Sequence, residues 1–148
     1  VPGTNVVAMA WPATGAAEAD LTSRFDLVVI DPLGGSPTVL AEGVGMWSRP
    51  RYTSRPDGTT RVAYGVADTG LRSSDSPYAI WTADGDGTEA ERGFPPAASG
   101  SVLYETVWSS PGYLLIGAEG GLYLVRADGG SVRPLLEGVP VERVQWAP

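Results

Sequence analysis

Three stretches of this chain repeat one pattern, and that repeat constrains the fold more than any other feature. They are DLVVIDPLGGSPTVL at 26–40, YAIWTADGDGTEAER at 78–92 and GLYLVRADGGSVRPL at 121–135. Each is an apolar run, an Asp/Gly turn, then a second short run. They begin 52 and 43 residues apart, close to the about 40–50 residues of a four-stranded repeat unit.

A second element follows each copy. PRYTSRPDGTTRVAYG at 50–65 has an aromatic, Tyr52, then a turn at 55–58, then a strand. TVWSSPGYLLIG at 106–117 keeps the order with Trp108 and a Ser-Pro-Gly turn at 110–112. RVQWAP at 143–148 begins the element again with Trp146. VPGTNVVAMA at 1–10 aligns with PDGTTRVAYG at 56–65, Gly3 falling on Gly58, Thr4 on Thr59, Val7 on Val62 and Ala8 on Ala63. The two ends therefore read as complementary halves of one copy.

The turn chemistry is local. Proline presets φ and glycine accepts φ > 0, so Pro-Asp-Gly closes a tight turn between antiparallel strands. The aspartate can bond nearby backbone N–H groups and hold that turn. Strands are expected at 4–11, 25–31, 37–42, 46–54, 60–67, 78–83, 88–93, 101–109, 113–118, 121–126, 132–137 and 141–147. Gly 20 and Pro 13, spread along 148 residues, suit short strands and not helices.

This pattern resembles the TolB-like propeller repeat, whose signature is an aromatic, Ser-Pro-Asp-Gly, two strands and an Asp-Gly-Gly turn. The residues that carry the match are Tyr52, Ser54, Pro56, Asp57 and Gly58, then Trp108, Ser109, Pro111 and Gly112, then Trp146 and Pro148. The hairpin turns are carried by Asp31, Gly34, Gly35, Asp84, Gly85, Gly87, Asp128, Gly129 and Gly130. The copies depart from the pattern in an inserted Arg55, no Asp after Pro111, and Ala147 in place of Ser. The resemblance implies an all-β propeller with three four-stranded antiparallel blades in one unit, 1–148.

Three blades are too few to close, since propellers have about four to eight. The expected repair is a homodimer. Strand 141–147 of one chain would complete the blade begun by strand 4–11 of another, burying Val6, Val7 and Met9 against Val144 and Trp146. The result is a six-bladed ring with a channel lined by 46–54, 101–109 and 141–147. The alternative is that the sequence belongs to a longer propeller.

Composition narrows the chemistry. The chain has no His and no Cys, so it has no Ser-His-Asp triad, no disulfide and no His- or thiolate-based metal site. All ten basic residues are Arg, which with abundant Ala, Gly, Val and Pro resembles a high-GC bacterial coding bias. A net charge of −7 disfavours nucleic acid and anionic lipid as partners. No apolar run reaches the about 18 residues of a membrane span. The first residues show neither the basic nor the apolar region of a signal peptide.

Candidate sites are few. No catalytic residue is assigned, because Ser109–Gly112 reads as a turn and nothing brings Asp57, Asp68, Asp75 or Glu105 into a pair. Asp84 and Asp86 in ADGDGTEAE could offer oxygens to Ca²⁺, but a plain hairpin turn is the expectation there, with no cofactor. Trp11, Trp81, Trp108 and Trp146 read as core. Trp47, beside Arg49 and Arg51, is the best candidate for contact with a ligand or partner, because Trp with Arg is a hot-spot composition; burial is still its expected state. Two long loops, 12–24 and 67–77, each join the second strand of a blade to its third, so both leave the same face, where binding surfaces gather.

The function these features imply is a non-enzymatic propeller module that binds a protein or small ligand. The TolB-like resemblance alone places it in the periplasm or outside the cell. The alternative is an accessory or gating propeller of a larger prolyl-peptidase-like hydrolase.

Overall fold

The computed structural model describes residues 1, 7–13, 23–70, 72–96 and 101–146. The described chain is all-β, with eleven strands: β1 (Val7–Pro12), β2 (Phe25–Ile30), β3 (Thr38–Ala41), β4 (Arg51–Ser54), β5 (Thr60–Ala67), β6 (Tyr78–Asp84), β7 (Glu91–Phe94), β8 (Leu103–Ser110), β9 (Tyr113–Ala118), β10 (Gly121–Arg126) and β11 (Val132–Glu137). They form three antiparallel meanders, β1-β2-β3, β4-β5-β6-β7 and β8-β9-β10-β11. Among the described residues no helix is long and apolar enough to cross a membrane.

The turns repeat one device. An aspartate carboxylate accepts the backbone N–H two residues on: Leu33 to Asp31 (2.9 Å), Thr59 to Asp57 (2.9 Å), Thr88 to Asp86 (3.0 Å) and Gly130 to Asp128 (2.9 Å). This side-chain mimic of a turn fixes where each strand ends and sets the register of the next. The inserted Arg55 bonds Asp84 at 2.7 Å and so ties the β4–β5 turn to the β6–β7 turn. Asp84 is thus an ion-pair partner as well as a turn residue, its carbonyl accepting the Gly87 N–H (2.9 Å) and its own N–H donating to the Thr88 carbonyl (2.8 Å).

These bonds carry a pH dependence. The Asp57 and Asp86 carboxyls lie below their ordinary range, chiefly because the Thr59 and Thr88 hydroxyls bond them. The Asp128 carboxyl is lowered first by the Arg126 guanidinium. A folded-state value below the unfolded one gives stability that is complete above the unfolded value and is lost as pH falls through the folded one. The melting temperature should hold from neutral pH to about 5 and fall below about 4, the ordinary aspartate value. A melting temperature that stays level in thermal scans from about pH 4 to about pH 2.5 contradicts this.

The middle sheet is covered on both faces, because alternate residues of a strand point opposite ways. Val62 and Tyr64 of β5, with Ala83 of β6, pack against Leu27 and Val44. Ala63 of β5 and Ile80 of β6 point the other way, with Phe94, onto Leu114, Ile116 and Val125 of the third sheet. The Thr82 hydroxyl donates to the Ala127 carbonyl (2.5 Å), and the Trp108 indole donates to the Arg51 carbonyl (2.8 Å), joining the middle and third sheets.

The first sheet differs. Val7, Met9 and Trp11 alternate along β1 and are 50%, 38% and 42% exposed. Ile30, Val28 and Asp26 lie opposite them on β2 and share that face. Among the described residues β1 pairs with β2 alone, so this sheet has three strands and an open edge. Trp11 was expected in the core; it is exposed because its side of β1 has no sheet against it among the described residues.

The strand expected at 141–147 is absent from the described residues 141–146. Among the described residues β1, the strand it was expected to join, belongs to the sheet packed on the other face of the middle sheet and so lies out of its reach within one chain. Instead Val141 N–H donates to the Ala118 carbonyl (3.1 Å), and Val141 and Val144 lie over Gly117, where a side chain on that glycine would strike the Val141 carbonyl. Trp146, expected in the core, is 49% exposed. Trp81 and Trp108 are half-buried against the two cores. Val6, Ala147, Pro148 and most of the 12–24 loop lie outside the described residues.

Candidate functional site

Residues 46 and 47 form a turn rather than the start of a strand, with Ser48 N–H donating to the Gly45 carbonyl (3.2 Å). Gly45 makes that turn possible. Its φ is +97°, and a Cβ there would stand 2.6 Å from the Tyr78 hydroxyl, 2.8 Å from Ala67 Cβ and 2.9 Å from Ser73 Cβ. The backbone therefore passes directly over Tyr78. The Tyr78 hydroxyl accepts from Trp47 N–H (3.1 Å) and donates to the Ser73 carbonyl (2.9 Å), while Met46 N–H donates to the Ser73 hydroxyl (2.9 Å). Burial raises the Tyr78 phenol above its ordinary value, partly offset by the bond from Trp47, so the hydroxyl remains a donor at neutral pH.

Trp47 is held without being covered. Its indole N–H donates to the Ser74 carbonyl (3.2 Å), yet the residue is 54% exposed. Burial, the state expected of it, fails because Trp47 precedes β4 instead of lying in a paired strand.

The indole stands beside a cleft of about 390 Å³, lined by the Trp47 turn, the approach to β4, the 74–78 segment and the first residues of β8. Trp47, Arg49 and Arg51 all line it, so the three residues singled out from composition share one site. Val102 and Leu103 give it an apolar wall. The volume falls within the roughly 300–1,000 Å³ range of small-molecule sites.

The cleft's charges are mostly committed. Arg51 pairs with Glu105 across β4 and β8 at 2.9 Å. Asp75 accepts from Arg72 (3.2 Å) and from the Ser74 hydroxyl (3.0 Å), and the Arg72 bond is the main cause of its lowered carboxyl. Arg49 is exposed and makes no ion pair among the described residues.

Glu105 and Tyr78 were not identified from sequence as part of this site. The repeat holds a clue to Glu105: aligning Tyr52 with Trp108 places Glu105 on Arg49's position, an opposite charge on the neighbouring copy. Tyr78 gave no such clue, because its role depends on Gly45 crossing above it.

The weak metal candidates sit elsewhere. Asp84 binds Arg55, and Asp86 takes the Thr88 N–H and hydroxyl. No group of three or more potential metal-ligating residues occurs among the described residues.

Gly45→Ala should cost about 1–3 kcal/mol, the scale of a residue held in a sparsely populated backbone region, and should displace Trp47. Thermal unfolding and tryptophan emission read the two effects. A variant with wild-type melting and wild-type emission would show that the close approach over Tyr78 is not needed.

No protein-family model, curated protein or solved structure matches this chain significantly.

Proposed function

We propose that this chain is a non-enzymatic, TolB-like propeller module that works as a ring of two copies and binds a ligand or partner in the Trp47 cleft. The observation that carries the reading is the contrast between the three sheets. Two have four strands, and among the described residues the first lacks a strand beside β1. The sequence repeat identifies the missing type: β4 carries Tyr52, β8 carries Trp108, and 141–147 carries Trp146 at the same position. A second copy's 141–147 therefore fits the open edge of β1, and two such junctions close six blades.

In that ring β4 and β8 line the channel, and the cleft between their first residues opens toward it. The cleft's polar groups largely hold one another, Arg51 with Glu105 and Asp75 with Arg72. That suits recognition better than proton transfer. An exported compartment is part of the same reading and rests on the TolB-like repeat.

Sedimentation equilibrium tests the assembly. The expected mass is that of two chains, and one chain's mass across a broad concentration range overturns the ring.

A further inference from the structure

We propose that the Trp47 cleft takes a small aromatic carboxylate, its acid on the Arg49 guanidinium and its ring against the Trp47 indole. The inference rests on reading the cleft as a recognition site and adds the chemistry of its ligand.

The argument begins with charge. The protein carries −7 overall, so a cation without a partner beside a cavity runs against its general balance. Of the four charged residues lining the cleft, three are engaged: Arg51 with Glu105, and Asp75 with Arg72. Among the described residues the uncommitted charge is Arg49. Guanidinium is a planar fork of donors that matches a carboxylate bidentately, and such charge-assisted bonds are about twice as strong as neutral ones.

The ring comes from the apolar side. The Trp47 indole N–H is spent on Ser74, which fixes the plane of the indole and leaves more than half of the residue open. Val102 and Leu103 line the same cavity. A flat hydrocarbon stacked on a fixed indole loses little freedom on either partner, and offset aromatic pairs gain beyond the area they bury. A cavity of about 390 Å³ holds one ring system and its acid arm, and little more. The competing occupant is an aromatic amine, drawn to the face of the indole by cation–π attraction. It would have Arg49 against it and would need Glu105 or Asp75 released from an existing partner.

Three probes separate these cases: indole-3-acetate, neutral indole and tryptamine. Each is titrated into ¹⁵N-labelled protein while the Trp47 indole N–H resonance, assigned with Trp47→Phe, is followed. Indole-3-acetate should shift that resonance saturably and bind about tenfold or more tighter than tryptamine. In Arg49→Gln the preference should shrink to about threefold or less, with binding of neutral indole unchanged. Arg49 is exposed and makes no ion pair among the described residues, so this variant should fold, and the dispersion of its amide spectrum verifies that. High salt should weaken the acetate and leave indole as it was. Tryptamine binding as tightly as the acetate, or an acetate preference that survives Arg49→Gln, overturns the carboxylate assignment and leaves the cleft a recognition site. If none of the three moves the Trp47 resonance, this inference and the small-ligand reading of the cleft both fall, while assembly is judged separately by mass.

Discussion

Leu114→Ala should destabilise the chain by about 2–5 kcal/mol, and Leu27→Ala by a similar amount. Both side chains are fully buried, but in different cores. Leu114 lies where the third sheet meets the middle one, beside Ile80 and Phe94. Leu27 lies where the first sheet meets the other face, beside Val62 and Tyr64. Each truncation removes apolar contact and leaves a cavity that a stiff, paired sheet cannot collapse to fill. At this length about 1 kcal/mol corresponds to about 3 °C, so calorimetry should record a fall of about 6–15 °C for each. The double variant should come close to the sum, because distant sites without shared partners add to within about 0.5 kcal/mol. Leu33→Ala, at an exposed turn residue, serves as the control and should stay within about 0.5 kcal/mol of wild type. Losses below about 1 kcal/mol at Leu114 and Leu27 would mean that the sheets do not stack through these residues.

The strands were legible because their ends are written locally. Asp57, Asp86 and Asp128, which accept the N–H two residues on, each stand directly before a glycine in the sequence, and hairpins follow from adjacent runs. What sequence could not supply was the state of any residue that depends on a neighbouring sheet. Trp11 and Trp108 look alike in sequence, an aromatic in an apolar run. Trp108 reaches across to the Arg51 carbonyl, whereas Trp11 faces out because no sheet covers its side among the described residues. The same holds for the site. Trp47, Arg49 and Arg51 were legible as a composition, but the cleft exists because Gly45 passes over Tyr78 and because β8 brings Glu105 to Arg51. Asp84 was legible as a turn residue, and its carbonyl does accept the Gly87 N–H; what the acidic run did not reveal is that the inserted Arg55 claims its carboxylate for an ion pair.

The open edge of β1 leads to the larger expected effect. On the proposed ring, Trp146→Ala should leave one chain folded and abolish the two-chain particle. Trp146 is already half-exposed in a single chain, so its truncation costs that chain little. In the ring it would be buried against Val7 and Met9 of the other copy, where removing an aromatic costs about 3–5 kcal/mol. A two-fold ring repeats every contact, so one substitution acts at both junctions. The dissociation constant should therefore rise by about four powers of ten or more. Met9→Lys tests the other side of the same junction. It lies on the exposed face of β1, where a charge is harmless in one chain and must be desolvated in the ring. Both variants should sediment as single chains with melting temperatures close to each other. Leu33→Ala should remain a pair, since Leu33 sits in the β2–β3 turn, away from the β1 edge. If Trp146→Ala and Met9→Lys keep the mass of two chains, the copies meet through another surface and β1 is not the seam. If they unfold instead, Trp146 and Met9 support the single chain in a way that their exposure does not explain.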